Sequence, residues 1–180
     1  MKTRRNYMSL LKTPIKIGKL ALNNRLVMPP MATAKAEDSG KVSKSLCDYY
    51  AEKSKGGYIG LIIIEHSYIN QEGKASKGQV SLANDCDMEG LKTLVSIIHQ
   101  NQTKVLAQLN HAGGKAKQEV TGHIPLSASA VKIPGIKQME ILPKEMRQDD
   151  IQKVIEDFVN AAIRVKEIGF DGVEIHAAHG

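Results

Sequence analysis

Apolar runs alternate with amphipathic stretches along the chain, and the alternation predicts its elements. Leu26 to Met28 reads as a short strand, cut off by Pro29 and Pro30, since proline removes a ladder donor and fixes φ. From about Ser43, Leu46, Tyr49 and Tyr50 share one helical face, and Gly56–Gly57 ends that helix. "GLIIIEH" is a continuous β-branched run, the pattern of a parallel strand buried on both faces. Between Met88 and Asn101, Leu91, Leu94, Val95 and Ile98 fall at i, i+3, i+4 and i+7, one side of an amphipathic helix. "KVLAQLNHAGG" follows as a strand with a glycine-rich exit. The stretch from about Gly113 to Arg147 is polar and proline-containing, with no apolar period, and predicts an excursion on one rim. Asp149 and Gln152 then predict a capping box. Behind it runs a helical stripe of Ile151, Val154, Ile155, Phe158, Ala162, Val165 and Ile168, ended by Gly169 as a left-handed C′ residue. "GVEIH" is the last strand.

Four strands with three intervening helices imply parallel strands joined by right-handed crossovers. No GxGxxG follows the first strand, which removes the simplest dinucleotide-binding reading. Polar residues recur instead where strands end: Glu65 and His66, Gln108 and Asn110, His176 and His179. In a (β/α)8 TIM barrel all such ends open on one face, where active sites sit, and a complete barrel takes about 250 residues. At 180 residues the chain holds the first four strands and three helices of that α/β fold. The expected organisation is an N-terminal extension over residues 1–8 and half a barrel over residues 9–180, truncated after strand 4.

The net charge of +6 suggests nucleic acid until it is located. Lys2, Arg4, Arg5, Lys12, Lys16, Lys19, Arg25 and Lys35 all precede the first acid, Glu37, which leaves 17 cations against 19 acids beyond it. With few aromatics to stack on bases, no nucleic-acid partner is expected. The acid-free start alternates apolar and polar residues in "TPIKIGKLALNNRLVM" and so is not read as a basic amphipathic transit helix. The longest purely apolar run, Leu61 to Ile64, is far below the ~18 residues of a membrane span. Cys47 and Cys86 lie 39 positions apart with no CxxC spacing, which fits a cytoplasmic protein without a disulfide framework.

His176 and His179 alone leave three roles open: flavin chemistry, metal binding and structure. A TIM-barrel metal-dependent hydrolase would complete such a pair with carboxylates from other strands. Gln108 alone is a commonplace strand-end polar residue. Glu174 sits mid-strand and reads as a structural contact, Met28 as core filler, and His99 as a helix-end imidazole complementing the dipole. His111 and His123 carry no assignment.

Four stretches in register change the weighting: "LNNRLVMPPMAT", "YYAEKSKGGYIGLIIIE", "VLAQLNHAGGKA" and "GFDGVEIHAAHG". In their order and spacing the chain resembles the old yellow enzyme family of FMN-dependent oxidoreductases, which includes NADH:flavin oxidoreductases and 2,4-dienoyl-CoA reductases. The resemblance implies a TIM barrel with FMN across its mouth. Pro29, Pro30, Met31 and Ala32 would run along the flavin, with Met31 packed on it and Ala32 where many relatives carry threonine or cysteine. His66 would lie beside the flavin where relatives have a small residue, and Gln108 would bond the pyrimidine side of the ring. His176 and His179 would hold the carbonyl oxygen of a small α,β-unsaturated substrate (an enone, an enoate or a dienoyl thioester). Two N–H donors there stabilise charge developing on that oxygen as an oxyanion hole does. NADH or NADPH would be the reductant. Family features expected past the last residue are phosphate-binding loops after strands 7 and 8, a proton-donating tyrosine, a flavin-contacting arginine and, in longer relatives, a 4Fe–4S cluster. Two outcomes follow: an enzyme completed by a C-terminal half or by homo-oligomerisation, or an inert truncated fragment.

Overall fold

A computed structural model describes residues 8–133 and 141–179. In chain order the elements are α1 (Met8–Leu11), β1 (Ile15–Ile17), β2 (Leu20–Leu22), β3 (Val27–Met28), α2 (Lys44–Ser54), β4 (Leu61–Tyr68) and β5 (Val80–Ser81). They continue with α3 (Met88–Gln100), β6 (Lys104–Asn110), α4 (Gln118–Thr121), β7 (Leu126–Ser127), β8 (Lys144–Glu145), α5 (Gln148–Ile168) and β9 (Gly172–Ile175). The predicted β–α alternation is present. β3, β4, β6 and β9 pair in that order, all parallel, with α2, α3 and α5 between successive strands.

Side-chain alternation divides the sheet into two apolar layers. Ile62, Ile64, Val105, Ala107 and Leu109 pack with Leu46 and Tyr50 of α2, Leu91, Leu94, Val95 and Ile98 of α3, and Ala161 and Val165 of α5. Each such buried aliphatic side chain is worth about 1.5–3 kcal/mol of transfer free energy. On the other face Leu61 and Ile63 pack with Leu22 of the β1–β2 hairpin, which turns at Gly18 with φ +58°. The hairpin therefore stoppers the inner face at the N-terminal ends of the strands. That base is pinned by Asp171: its carboxylate accepts from His99 Nε2 (2.8 Å), Lys104 Nζ (2.8 Å) and the Val105 N–H (2.9 Å). Burial pushes the Asp171 carboxyl up, but these three donors outweigh it and hold the group below the usual aspartate range. His99 thus has a structural partner beyond the helix dipole.

Three expectations need correction or limits. The capping box is not at Asp149 and Gln152: α5 begins at Gln148, and Asp150 accepts from the Arg147 N–H at 2.8 Å. An arginine side chain has no acceptor, so only the carboxylate half of a box forms. The stripe on α5 also splits in two. Of its members Val165 and Ile168 are buried and Val154, Phe158 and Ala162 half-buried, whereas Ile151 and Ile155, with Val159 and Ile163 outside the stripe, are 39–53% exposed. Val173 and Ile175 on β9 are exposed as well, because among the described residues no element packs on that flank. The rim excursion contains α4 and the small parallel pair β7–β8, while residues 134–140 lie outside the described residues. Residues 1–7 of the expected extension lie outside them too.

Candidate functional site

The C-terminal ends of the four parallel strands form the mouth. The turn after β3, "PPMAT", is held by its neighbours more than by itself. Thr33 Oγ1 donates to Glu65 Oε2 at 2.6 Å, and Tyr50 on α2 donates to the same oxygen at 3.4 Å while accepting from the Glu65 N–H at 2.9 Å. Burial raises the Glu65 carboxyl above the usual range despite these donors, and burial likewise pushes the Tyr50 hydroxyl up. Further along, the Ala36 N–H donates to Gly78 O, which fastens this loop to the one before β5. Gly78 has φ +68° and lies against the Ala34 carbonyl, so a side chain there would be both strained and crowded. Met31 is left 54% exposed at the lip, and the backbone N–H groups of Met31 and Ala32 donate to no group among the described residues.

Three predicted imidazoles meet in one place. His66, His176 and His179 line a cavity of about 130 Å³ with Asn110, His111 and Lys115, and among the described residues no carboxylate lines it. Burial, and then the fields of His176 and His179, hold His66 below the ordinary histidine range. His176 Nε2 and His179 Nδ1 are 2.7 Å apart, so the pair is bonded to itself, one ring donating to the other. To offer two donors to one oxygen the rings must part. Gln108, 6% exposed, donates one N–H to Glu174 Oε1 at 2.6 Å, and its other N–H and its carbonyl have no partner among the described residues. Glu174 thereby has the structural contact expected of it, and the contact is with a site residue. Pro29 to Ala32 do not line the cavity but belong to the neighbouring turn.

Two features escaped the sequence. Asn110 Nδ2 and His111 Nε2 are buried without a partner among the described residues. His111 Nδ1 accepts from the Gly113 N–H at 3.0 Å, which puts the ring proton on Nε2, the orphaned atom. An unmet buried donor costs about 1–3 kcal/mol, and both residues line the histidine cavity. Gln79 is the second omission: it contacts His66 across 13 residues of chain, and no pattern marked it.

A sequence profile of the NADH:flavin oxidoreductase / NADH oxidase family matches residues 10–180. The chain belongs to this family. It is 38% identical over 167 residues to an NADH oxidase of Thermoanaerobacter brockii, covering 92% of this chain and 25% of that protein. To an NADPH dehydrogenase of Bacillus cytotoxicus it is 37% identical over 169 residues, covering 93% and 47%. The old yellow enzyme homologue of Zymomonas mobilis superposes with a TM-score of 0.85 at 29% identity, covering 93% of this chain and 48% of that one. The architecture is therefore that of an old yellow enzyme TIM barrel, and the chain spans about half the length of that dehydrogenase and that homologue.

A flavin fits the residues present in part. Free backbone donors at Met31 and Ala32, an exposed Met31 and the spare hydrogen-bonding capacity of Gln108 suit a flat ring with a polar edge. The 130 Å³ cavity is small beside the ~300–1,000 Å³ of typical cofactor sites, as expected of a mouth walled on one side. Among the described residues no group of three or more His, Cys, Asp or Glu could hold a metal ion. No described helix is long and apolar enough to cross a membrane.

Proposed function

We propose that this chain supplies one wall of the active site of an FMN-dependent oxidoreductase that takes electrons from NADH or NADPH and reduces an alkene conjugated to a carbonyl. The observation that carries the reading is the meeting of His66, His176 and His179 at the strand C-termini, in a chain of this family. The flavin, when bound, supplies the hydride chemistry. The chain's own residues do the rest. The Met31 and Ala32 N–H groups and Gln108 would hold the flavin. His176 and His179, once parted, donate to the substrate's carbonyl oxygen and stabilise the charge that develops there. Thr33, Glu65 and Tyr50 keep the turn in place. Free Cys47 and Cys86 support a reducing, cytoplasmic setting.

Completion of the site follows from the exposed flank. Ile151, Ile155, Val159 and Ile163 on α5, with Val173 and Ile175 on β9, form an apolar face of the kind that marks an interface. A complementary C-terminal half of the barrel would cover it, adding a strand to the free edge of β9. The test is flavin retention by the purified chain, alone and mixed with the C-terminal half of a related dehydrogenase. A retained, perturbed visible band on a defined complex is expected. No retained flavin in either sample overturns the reading in favour of an inert half-barrel, which the self-bonded His176–His179 pair would then explain.

A further inference from the structure

The orientation of one buried amide fixes the chemistry that His66 presents to the cavity. Gln79 is 2% exposed. Its Oε1 accepts from the Ala75 N–H at 2.7 Å, and because a backbone N–H can only donate, the amide's oxygen must lie on that side. Its NH2 therefore faces the other way, 3.2 Å from His66 Nδ1 and 3.3 Å from the His66 carbonyl oxygen. An NH2 can only donate, so Nδ1 carries a lone pair and the ring proton sits on Nε2. A second proton on Nδ1 would oppose the Gln79 N–H, in keeping with a ring held neutral among its neighbours.

His66 is thus a preset N–H donor on β4, facing a cavity it shares with the His176–His179 pair that follows β9. A ketone or aldehyde oxygen has two lone pairs, which that pair alone can occupy. A carboxylate has two oxygens, about four acceptor sites and a full negative charge. Among the described residues the cavity answers with donors from different strands, one cation in Lys115, and no carboxylate to repel an anion. We propose that His66, set by Gln79 as its positioning residue, is a specificity determinant. With Lys115 it takes the second oxygen of the substrate's activating group, and so selects alkenes conjugated to a carboxylate over those conjugated to a neutral carbonyl. The proposal rests on the reading of the site as an alkene-reducing one.

The test uses the full chain and two small probes of the same size and alkene, sodium acrylate and acrylamide. Long-range proton–nitrogen NMR of the histidine rings first reads the tautomer without any ligand. The expected spectrum shows His66 Nδ1 unprotonated and Nε2 protonated; the reverse overturns the proposal without recourse to a variant. Titration should then move His66 Nε2 with acrylate at least tenfold more tightly than with acrylamide. His66→Ala should bring the two probes to parity, His66→Asn should restore part of the preference, and Gln79→Met should mix the tautomers. Equal binding of both probes, no acrylate binding, or an unchanged preference in His66→Ala each overturns it. Flavin retention on the same sample separates the two readings. A retained flavin without acrylate preference sinks only the role of His66. An acrylate preference with no flavin retained, by the chain alone or mixed with the C-terminal half, sinks only the oxidoreductase.

Discussion

The base and the mouth of this half-barrel treat polar groups in opposite ways. At the base, the Asp171 carboxylate collects donors from α3, from β6 and from the β6 backbone, and the β1–β2 hairpin seals the inner face with Leu22. At the mouth, Asn110 and His111 keep buried donors with no partner among the described residues, Glu65 is raised by burial, and four imidazoles line one cavity. The same parallel strands run through both ends, so the difference is not one of scaffold. It reflects the division of a TIM barrel into an end that holds it together and an end that keeps hydrogen-bonding capacity for a ligand. Stability and binding can be perturbed separately here, one at each end.

The largest effect is expected at the base. Asp171→Asn exchanges a charge-assisted acceptor for an amide whose NH2 opposes at least one of three donors, and should cost about 1.5–3 kcal/mol in urea denaturation. Its pH dependence has a definite sign. The folded carboxyl lies below the usual aspartate value, so its stabilising contribution is complete above the unfolded pKa, about 3.9, and is lost as pH falls through the folded value. The variant should lose that part of the acid-limb slope. Flavin retention and probe binding at the mouth should not change.

A smaller effect of opposite direction is expected from Asn110→Leu. Removing an amide whose Nδ2 has no partner among the described residues relieves a buried unmet donor, and should raise the unfolding free energy by about 1 kcal/mol. The same substitution should weaken flavin retention in the completed barrel. A stability gain with a binding loss is the expected signature of a residue kept for a ligand. A stability loss instead would place Asn110 with the structural polar groups of the base.

Much of this contrast was legible in the order of residues, and the reason is topological. A parallel barrel brings every strand's C-terminal end to one face, so Glu65, His66, Gln108, Asn110, His176 and His179 could be gathered without coordinates. The runs in β4 and β6 read clearly because both faces are buried. What stayed hidden was the second partner of each group. Gln108 meets Glu174 across 66 residues, His66 meets Gln79 through a loop, and Asp171 meets His99 across 72. No periodicity encodes such contacts. The stripe on α5 misled for a related reason: a helix that is apolar on two sides has the pattern of one buried on both, whatever covers the second.

The smallest effect expected is that of Glu65→Gln, and its value lies in sign. The Glu65 carboxyl is raised by burial, so its linkage contributes stability below the unfolded pKa, about 4.3, and loses it as pH rises through the folded value, the reverse of Asp171. At neutral pH the buried carboxylate is thus a liability, offset by the Thr33 and Tyr50 hydroxyls. A glutamine keeps one oxygen for Thr33 and removes the charge. The variant should lie within about 1 kcal/mol of the wild-type chain at pH 7, with a flatter stability profile above pH 4 or so. Denaturation of both carboxylate variants over one pH series would show opposite changes of slope. Equal slopes would mean that base and mouth do not differ in how they hold charge, and that the unmet donors at the mouth reflect geometry alone.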